Sequence, residues 1–163
     1  MNGNLESPKE NGARIEVSYQ PPTEYRLTVI AEPLDAPDGL VLGLRLGDKR
    51  VLATLNGFGA TMPLCQLQNV NGAAAAVSKG AVFKKGQPSQ IVCTVRSTGI
   101  LVLVDGRQVI NWQGDAASLS VEDYWQTPRK NAIFIGAYDC RYRISRFVLK
   151  PLAGTGQALA GKR

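Results

Sequence analysis

The chain has 163 residues, 44% hydrophobic, 20% charged and 7% aromatic, the size and make-up of one globular domain, and no apolar run reaches the ~18 residues of a membrane-spanning helix. Histidine is absent, which removes Ser-His-Asp and Cys-His nucleophiles, imidazole acid–base steps and His-ligated metal sites. Nineteen Lys and Arg against 13 Asp and Glu give a formal net charge of +6, so nucleic acid enters as a partner class to be weighed against how the charge is spread.

In chain order, residues 1–12 are polar and contain Asn, Gly and Pro; they read as a flexible leader without the apolar centre of a signal peptide. On that reading the chain is cytoplasmic, or its sequence begins after a processed or upstream segment. A single domain is expected over 13–152, built from short strand-like runs broken by Gly, Pro, Asn and Asp. The clearest runs are Arg14–Tyr19, Tyr25–Glu32, Leu40–Leu46, Val51–Leu55, Ser89–Arg96, Ile100–Val104, Gln108–Trp112, Ala132–Ala137 and Arg141–Leu149. Leu40–Leu46 is apolar on both faces, as a covered central strand is. The four alanines at 73–76 sit between Asn71-Gly72 and Ser78-Lys79-Gly80, and four residues do not nucleate a helix.

Asp105-Gly106 between Leu101–Val104 and Gln108–Ile110 is the strongest short-range hairpin signal. With Ser97-Thr98-Gly99 before it, it predicts a three-strand meander from Ser89 to Trp112, one face of which carries Ile91, Cys93 and Val95. Residues 153–163 read as a flexible tail. No segment holds a helical period for three turns, so the fold class is all-β: an antiparallel two-sheet β-sandwich.

Cys65, Cys93 and Cys140 cannot all pair within one chain and form no CxxC, and Cys93 reads as a small buried hydrophobe. A Cys65–Cys140 or Cys93–Cys140 bridge stays open at this stage. The densest basic stretch is Arg141, Arg143, Arg146 and Lys150; strict alternation puts Arg141 and Arg143 on one strand face and Arg146 on the other. Elsewhere the charge is scattered, which fits a solvated surface better than a nucleic-acid groove.

Several runs together resemble a known family. They are Tyr25–Val29 with Leu42-Gly43-Leu44, Leu55-Asn56-Gly57-Phe58-Gly59, Gln66–Gly72, Ile91–Arg96 with Val104-Asp105-Gly106 and Ile110–Asp115, and Ile133–Gly136 with Tyr142–Leu152. Over about residues 14–152 the chain resembles the concanavalin A-like lectin/glucanase superfamily, and within it the laminin-G-like jelly-roll domains of bacterial proteins related to the 3-keto-disaccharide hydrolase family. The resemblance implies a jelly roll that serves as a binding module for a glycan or a protein partner, without a cofactor. It leaves open a glycoside-active hydrolase and a structural or assembly domain as alternatives, and it says nothing of oligomeric state.

The residues lean against catalysis. A retaining glycosidase needs two carboxylates about 5–5.5 Å apart, and in the superfamily's glucanases these sit on one strand as Glu-x-Asp-x-x-Glu, a run this chain lacks. Asp35 and Asp38 share the loop Asp35-Ala36-Pro37-Asp38-Gly39 and are the one candidate pair for calcium, although the same residues make an ordinary turn. Sugar recognition needs rings that stack on C–H faces and side chains that bond hydroxyls. The candidates are Tyr124, Trp125, Tyr138, Asp139, Arg141, Tyr142, Asn56 and Asn69. Each has a competing structural reading: Trp125 as a plug in the sandwich, Tyr138-Asp139 as a turn, Asn56-Gly57 as a hairpin turn.

Overall fold

The computed structural model describes residues 3–59 and 61–160. Along the chain the strands are β1 (Leu5–Glu6), β2 (Asn11–Glu16), β3 (Tyr19–Gln20), β4 (Glu24–Pro33), β5 (Leu40–Leu46), β6 (Lys49–Gly57) and β7 (Leu64–Val70). They continue as β8 (Ala73–Lys79), β9 (Ser89–Arg96), β10 (Gly99–Val104), β11 (Arg107–Gln113), β12 (Phe134–Tyr138), β13 (Tyr142–Ala153) and β14 (Gln157–Ala158). Two single-turn 3-10 helices, Ala116–Ser118 and Asp123–Trp125, lie in the long connection between β11 and β12. Among the described residues no helix is long and apolar enough to cross a membrane.

The strands form two six-stranded antiparallel sheets. The back sheet has the order β1-β13-β4-β9-β10-β11 and the front sheet β2-β12-β5-β6-β7-β8, with β14-β3 as a small separate pair. Period-2 alternation decides what lies between them. On the front sheet Leu40, Leu42, Leu44, Leu46, Val51, Ala53, Leu55, Cys65 and Leu67 point inward, and from the back sheet Tyr25, Leu27, Val29, Ile91, Cys93, Val95, Ile100 and Val102 meet them in one buried core. Aliphatic side chains fill nearly all of it. The three cysteines are buried and free, so neither bridge left open by the sequence is present.

Several strands occur at the residues their patterns predict, Leu40–Leu46 and Ser89–Arg96 among them. Asp105 and Gly106 both take positive φ, 49° and 79°, as the two central residues of a type I′ hairpin must. Other expectations are corrected. The expected leader, 1–12, is ordered in part: Leu5–Glu6 pair with β13, and Asn11 begins β2, which pairs with β12, so this end of the chain closes the same edge of both sheets; residues 1 and 2 lie outside the described residues. The expected tail is partly ordered too, because Gln157 and Ala158 pair with Gln20 and Tyr19; residues 161–163 lie outside the described residues. Arg146 does not oppose Arg143. A bulge at Ser145 shifts the register of β13 against β4, which advances the alternation by one and turns Arg143 and Arg146 to the same outer face.

Candidate functional site

Outward-facing residues of the front sheet divide into two parts. At one end Val41, Leu52, Val121, Trp125 and Phe134 form a second, smaller buried cluster on the far side of the sheet from the main core. Gly43 makes room for it, since a Cβ there would lie 2.1 Å from Cε1 of Phe134. Arg50 seals the cluster. Its guanidinium carbon stands 5.3 Å from the centre of the Phe134 ring, and it donates to Thr127 Oγ1 (2.6 Å), the Ala132 carbonyl (3.1 Å) and Gln126 Oε1 (3.1 Å). Burial lowers the pKa of this guanidinium, with the Glu16 charge acting the other way. These contacts clamp the β11–β12 connection onto the sheet as a wall.

Beside that wall the sheet is open, and a groove of about 1060 Å³ runs across it. Its floor is Val41 of β5, Thr54 of β6, and Gln66 and Gln68 of β7; Tyr138 of β12 closes one end and Ala73 of β8 the other. Four inter-strand steps separate those ends, about 19 Å at ~4.8 Å per step. Thr54 and Gln66 are directly opposed across the β6–β7 ladder, which places a hydroxyl and an amide side by side. Thr54 is 5% exposed, and among the described residues its hydroxyl is the one buried side-chain polar atom without a hydrogen-bond partner.

Three exposed rings line the groove: Phe58 at 62%, Tyr124 at 50% and Tyr138 at 41%. Tyr124 stands edge-on to Trp125, centroids 5.2 Å apart at 84°, so the buried indole fixes the exposed phenol. Two carboxylates also line the groove, Asp38 from the β4–β5 loop and Glu122 from the wall. Glu122 begins the second 3-10 turn without capping it, and one Asp38 oxygen accepts the Gly39 N–H at 2.7 Å.

Of the candidates read from the sequence, Tyr124, Trp125, Tyr138, Asn69 and Asp38 come together in this groove. Trp125 is only 7% exposed, so it supports the rim from within the wall. The others lie elsewhere. Asn56 sits at a bulge with φ 56°, which turns its side chain into the protein. There it accepts from Val82 N–H (2.9 Å) and Phe83 N–H (3.5 Å) and donates to the Pro37 carbonyl (3.4 Å), so its role is to hold the β8–β9 connection. Tyr142 is wholly buried and donates its hydroxyl to the Asp38 carbonyl; burial pushes its pKa far up. Asp139 is an exposed turn residue with φ 48°.

Arg141 is engaged with Asp35. Its main-chain N–H and Nε both donate to Oδ2 (2.9 and 3.1 Å), and a terminal nitrogen donates to Oδ1 (2.9 Å). The Arg141 side chain, and then its backbone N–H, hold the Asp35 carboxyl well below the usual carboxylate range. Of the two calcium candidates, Asp35 has both oxygens engaged by Arg141, and Asp38 lines the groove. Among the described residues no three His, Cys, Asp or Glu side chains are grouped to hold a metal ion. Thr54, Gln66 and Gln68 were not singled out by the sequence, because a polar residue alternating with apolar ones reads as any solvated strand face.

No family model and no curated protein matches the chain. Solved structures do. The carbohydrate-binding module CBM66 of Bacillus subtilis superposes with a TM-score of 0.61 at 11% identity, covering 89% of this chain and 85% of that one. The exoplasmic/lumenal domain of VIP36 in its Ca2+/mannose-bound form gives 0.61 at 13%, over 92% and 78%. A Bacillus subtilis protein with a galectin-like fold gives 0.62 at 12%, over 90% and 81%. The fold these structures share with the chain is a two-sheet antiparallel jelly-roll sandwich. At these identities the similarity concerns backbone architecture, and within this jelly roll the groove lies on the outer face of the front sheet, formed by side chains particular to the chain.

Proposed function

We propose that this jelly roll is a non-catalytic glycan-binding module and that the groove across β12, β5, β6, β7 and β8 is its site. One observation carries the reading: a floor of amides and a partnerless Thr54 hydroxyl runs across the sheet from two half-exposed tyrosines at the β12 end of the groove. Amides and hydroxyls both donate and accept, as sugar hydroxyls do, and rings at the rim offer faces to sugar C–H groups. A buried hydroxyl left unmet costs stability, and here it borders the cleft where a ligand would lie. The names of two structural neighbours, a carbohydrate-binding module and a mannose-bound lumenal domain, point the same way.

The test is calorimetric titration with neutral oligosaccharides of the mannan, glucan, xylan and chitin series. Binding by the native chain that weakens about tenfold or more in Tyr124→Ala, and equally in Gln66→Ala, supports the groove. Binding unchanged in both variants contradicts it.

Hydrolysis is the second reading, favoured by Asp38 and Glu122 lining the same groove. It requires that the native chain release reducing ends from one of these oligosaccharides and that Asp38→Asn or Glu122→Gln abolish the release. No release from any of them supports the binding module. A structural or assembly role is the outcome if no sugar binds and the chain forms a concentration-dependent dimer in sedimentation.

A further inference from the structure

The charge of the groove runs against the charge of the chain. We infer that the site takes uncharged or amino-bearing sugars and rejects uronates and sulfated glycans; the inference rests on the groove being the glycan site. The chain is formally +6, yet no Lys or Arg is among the described residues that line the groove, whereas Asp38 and Glu122 are.

Four arginines around the groove are committed elsewhere. Arg50 is 5% exposed and donates to Thr127, Gln126 and the Ala132 carbonyl within the wall. Arg14 donates to the carbonyls of Gln126 and Gly12. Arg129 is paired with Glu16 at 3.2 Å and also holds the Ala160 carbonyl. Arg141 is held by Asp35.

An anionic sugar entering this groove would therefore lose water from its carboxylate or sulfate without gaining a counter-charge, and it would face two like charges. The exposed tyrosine faces add to that, since the face of an aromatic ring is its negative region. A hydroxyl, by contrast, donates well to a carboxylate, and an ammonium does so with charge assistance. The same arrangement disfavours a nucleic-acid backbone in this groove, whatever the net charge of the chain.

The experiment compares galacturonate and mannuronate oligomers with their own methyl esters, which keep the shape and remove the charge. A glucosamine oligomer and the neutral series are run beside them, by calorimetry at low and at 0.5 M salt. Each ester is expected to bind at least about tenfold more tightly than its acid at low salt, and raised salt should narrow the gap. Glucosamine oligomer binding should weaken with salt. In the double variant Asp38→Asn/Glu122→Gln, checked for folding by its thermal transition, the preference of ester over acid should fall towards unity. Acids that bind as tightly as their esters, alongside binding of neutral sugars, overturn the charge inference and leave the glycan site standing. A preference undiminished in the double variant overturns it as well. Absence of binding to every probe overturns the glycan reading, and this inference with it.

Discussion

Replacing Thr54 by Val separates stability from function in one substitution. The two side chains share a shape, and Cγ2 of Thr54 already packs against Gly57 and Gly39, so the exchange turns a hydroxyl into a methyl without asking the backbone to move. That hydroxyl is buried, with no partner among the described residues. An unsatisfied buried hydroxyl costs about 1–3 kcal/mol, and the methyl that replaces it has no such demand. A net gain of about 1–2 kcal/mol is expected, which for a chain of this length raises Tm by roughly 2–8 °C. Urea unfolding with an unchanged m-value and a higher midpoint is the measurement. Sugar affinity should move the opposite way, by about three- to tenfold, the worth of one hydrogen bond. A variant less stable than the native chain would refute the reasoning, because it would mean the hydroxyl has a partner in the free protein.

Gly43→Ala should destabilise by about 3 kcal/mol, because its Cβ would lie 2.1 and 2.2 Å from Phe134 ring atoms that are themselves enclosed; a Tm within 2 °C of the native value argues against it. Arg50→Ala should cost about 3–5 kcal/mol and expose the connection between residues 114 and 133 to proteases, since three hydrogen bonds to a buried cation are lost. Arg50→Lys should fall between. The thiols make stability fall at high pH. Burial raises all three, Cys93 to about 12, so the stability they contribute is whole below the unfolded thiol value near 9 and is lost as pH rises towards the folded values. Each thiol adds a slope of about −1.4 kcal/mol per pH unit across that window. Urea midpoints from pH 8 to 11 check this, and a flat profile contradicts it; at pH 8 no thiol of the folded chain should react with a disulfide reagent, and all three should do so in denaturant.

The parts of the fold that could be read in advance are those whose signals are local. Leu40–Leu46 and Ser89–Arg96 show their burial in their own alternation, and Asp105-Gly106 supplies the two positive φ values its turn needs. β8 escaped as a strand because alanine is a poor strand former, so the run 73–76 is held as a strand by its neighbours rather than by its own preference. Yet Asn71 and Gly72, at φ 50° and 76°, carried the same hairpin signal as Asp105-Gly106. Bulges account for other differences. They turn Asn56 inward and Arg146 outward, and strict alternation cannot foresee an inserted residue.

Half of the site was legible for a similar reason. Tyr124 and Tyr138 stand outside apolar runs and could be marked as exposed rings. Thr54, Gln66 and Gln68 gain meaning only from the pairing of β6 with β7, a contact between two strands that neither segment announces alone. The two carboxylates of the groove are brought together from loops more than 80 residues apart in sequence.

The most direct test of the groove is an amide chemical-shift map of the native chain titrated with a neutral mannan or glucan tetramer. The account predicts saturable shifts gathered on Thr54, Gln66, Gln68, Tyr124 and Tyr138, with Arg26 and Thr94 on the back sheet unmoved. Saturable shifts centred on the back sheet, or on the β1–β2 edge around Leu5 and Ile15, would contradict it.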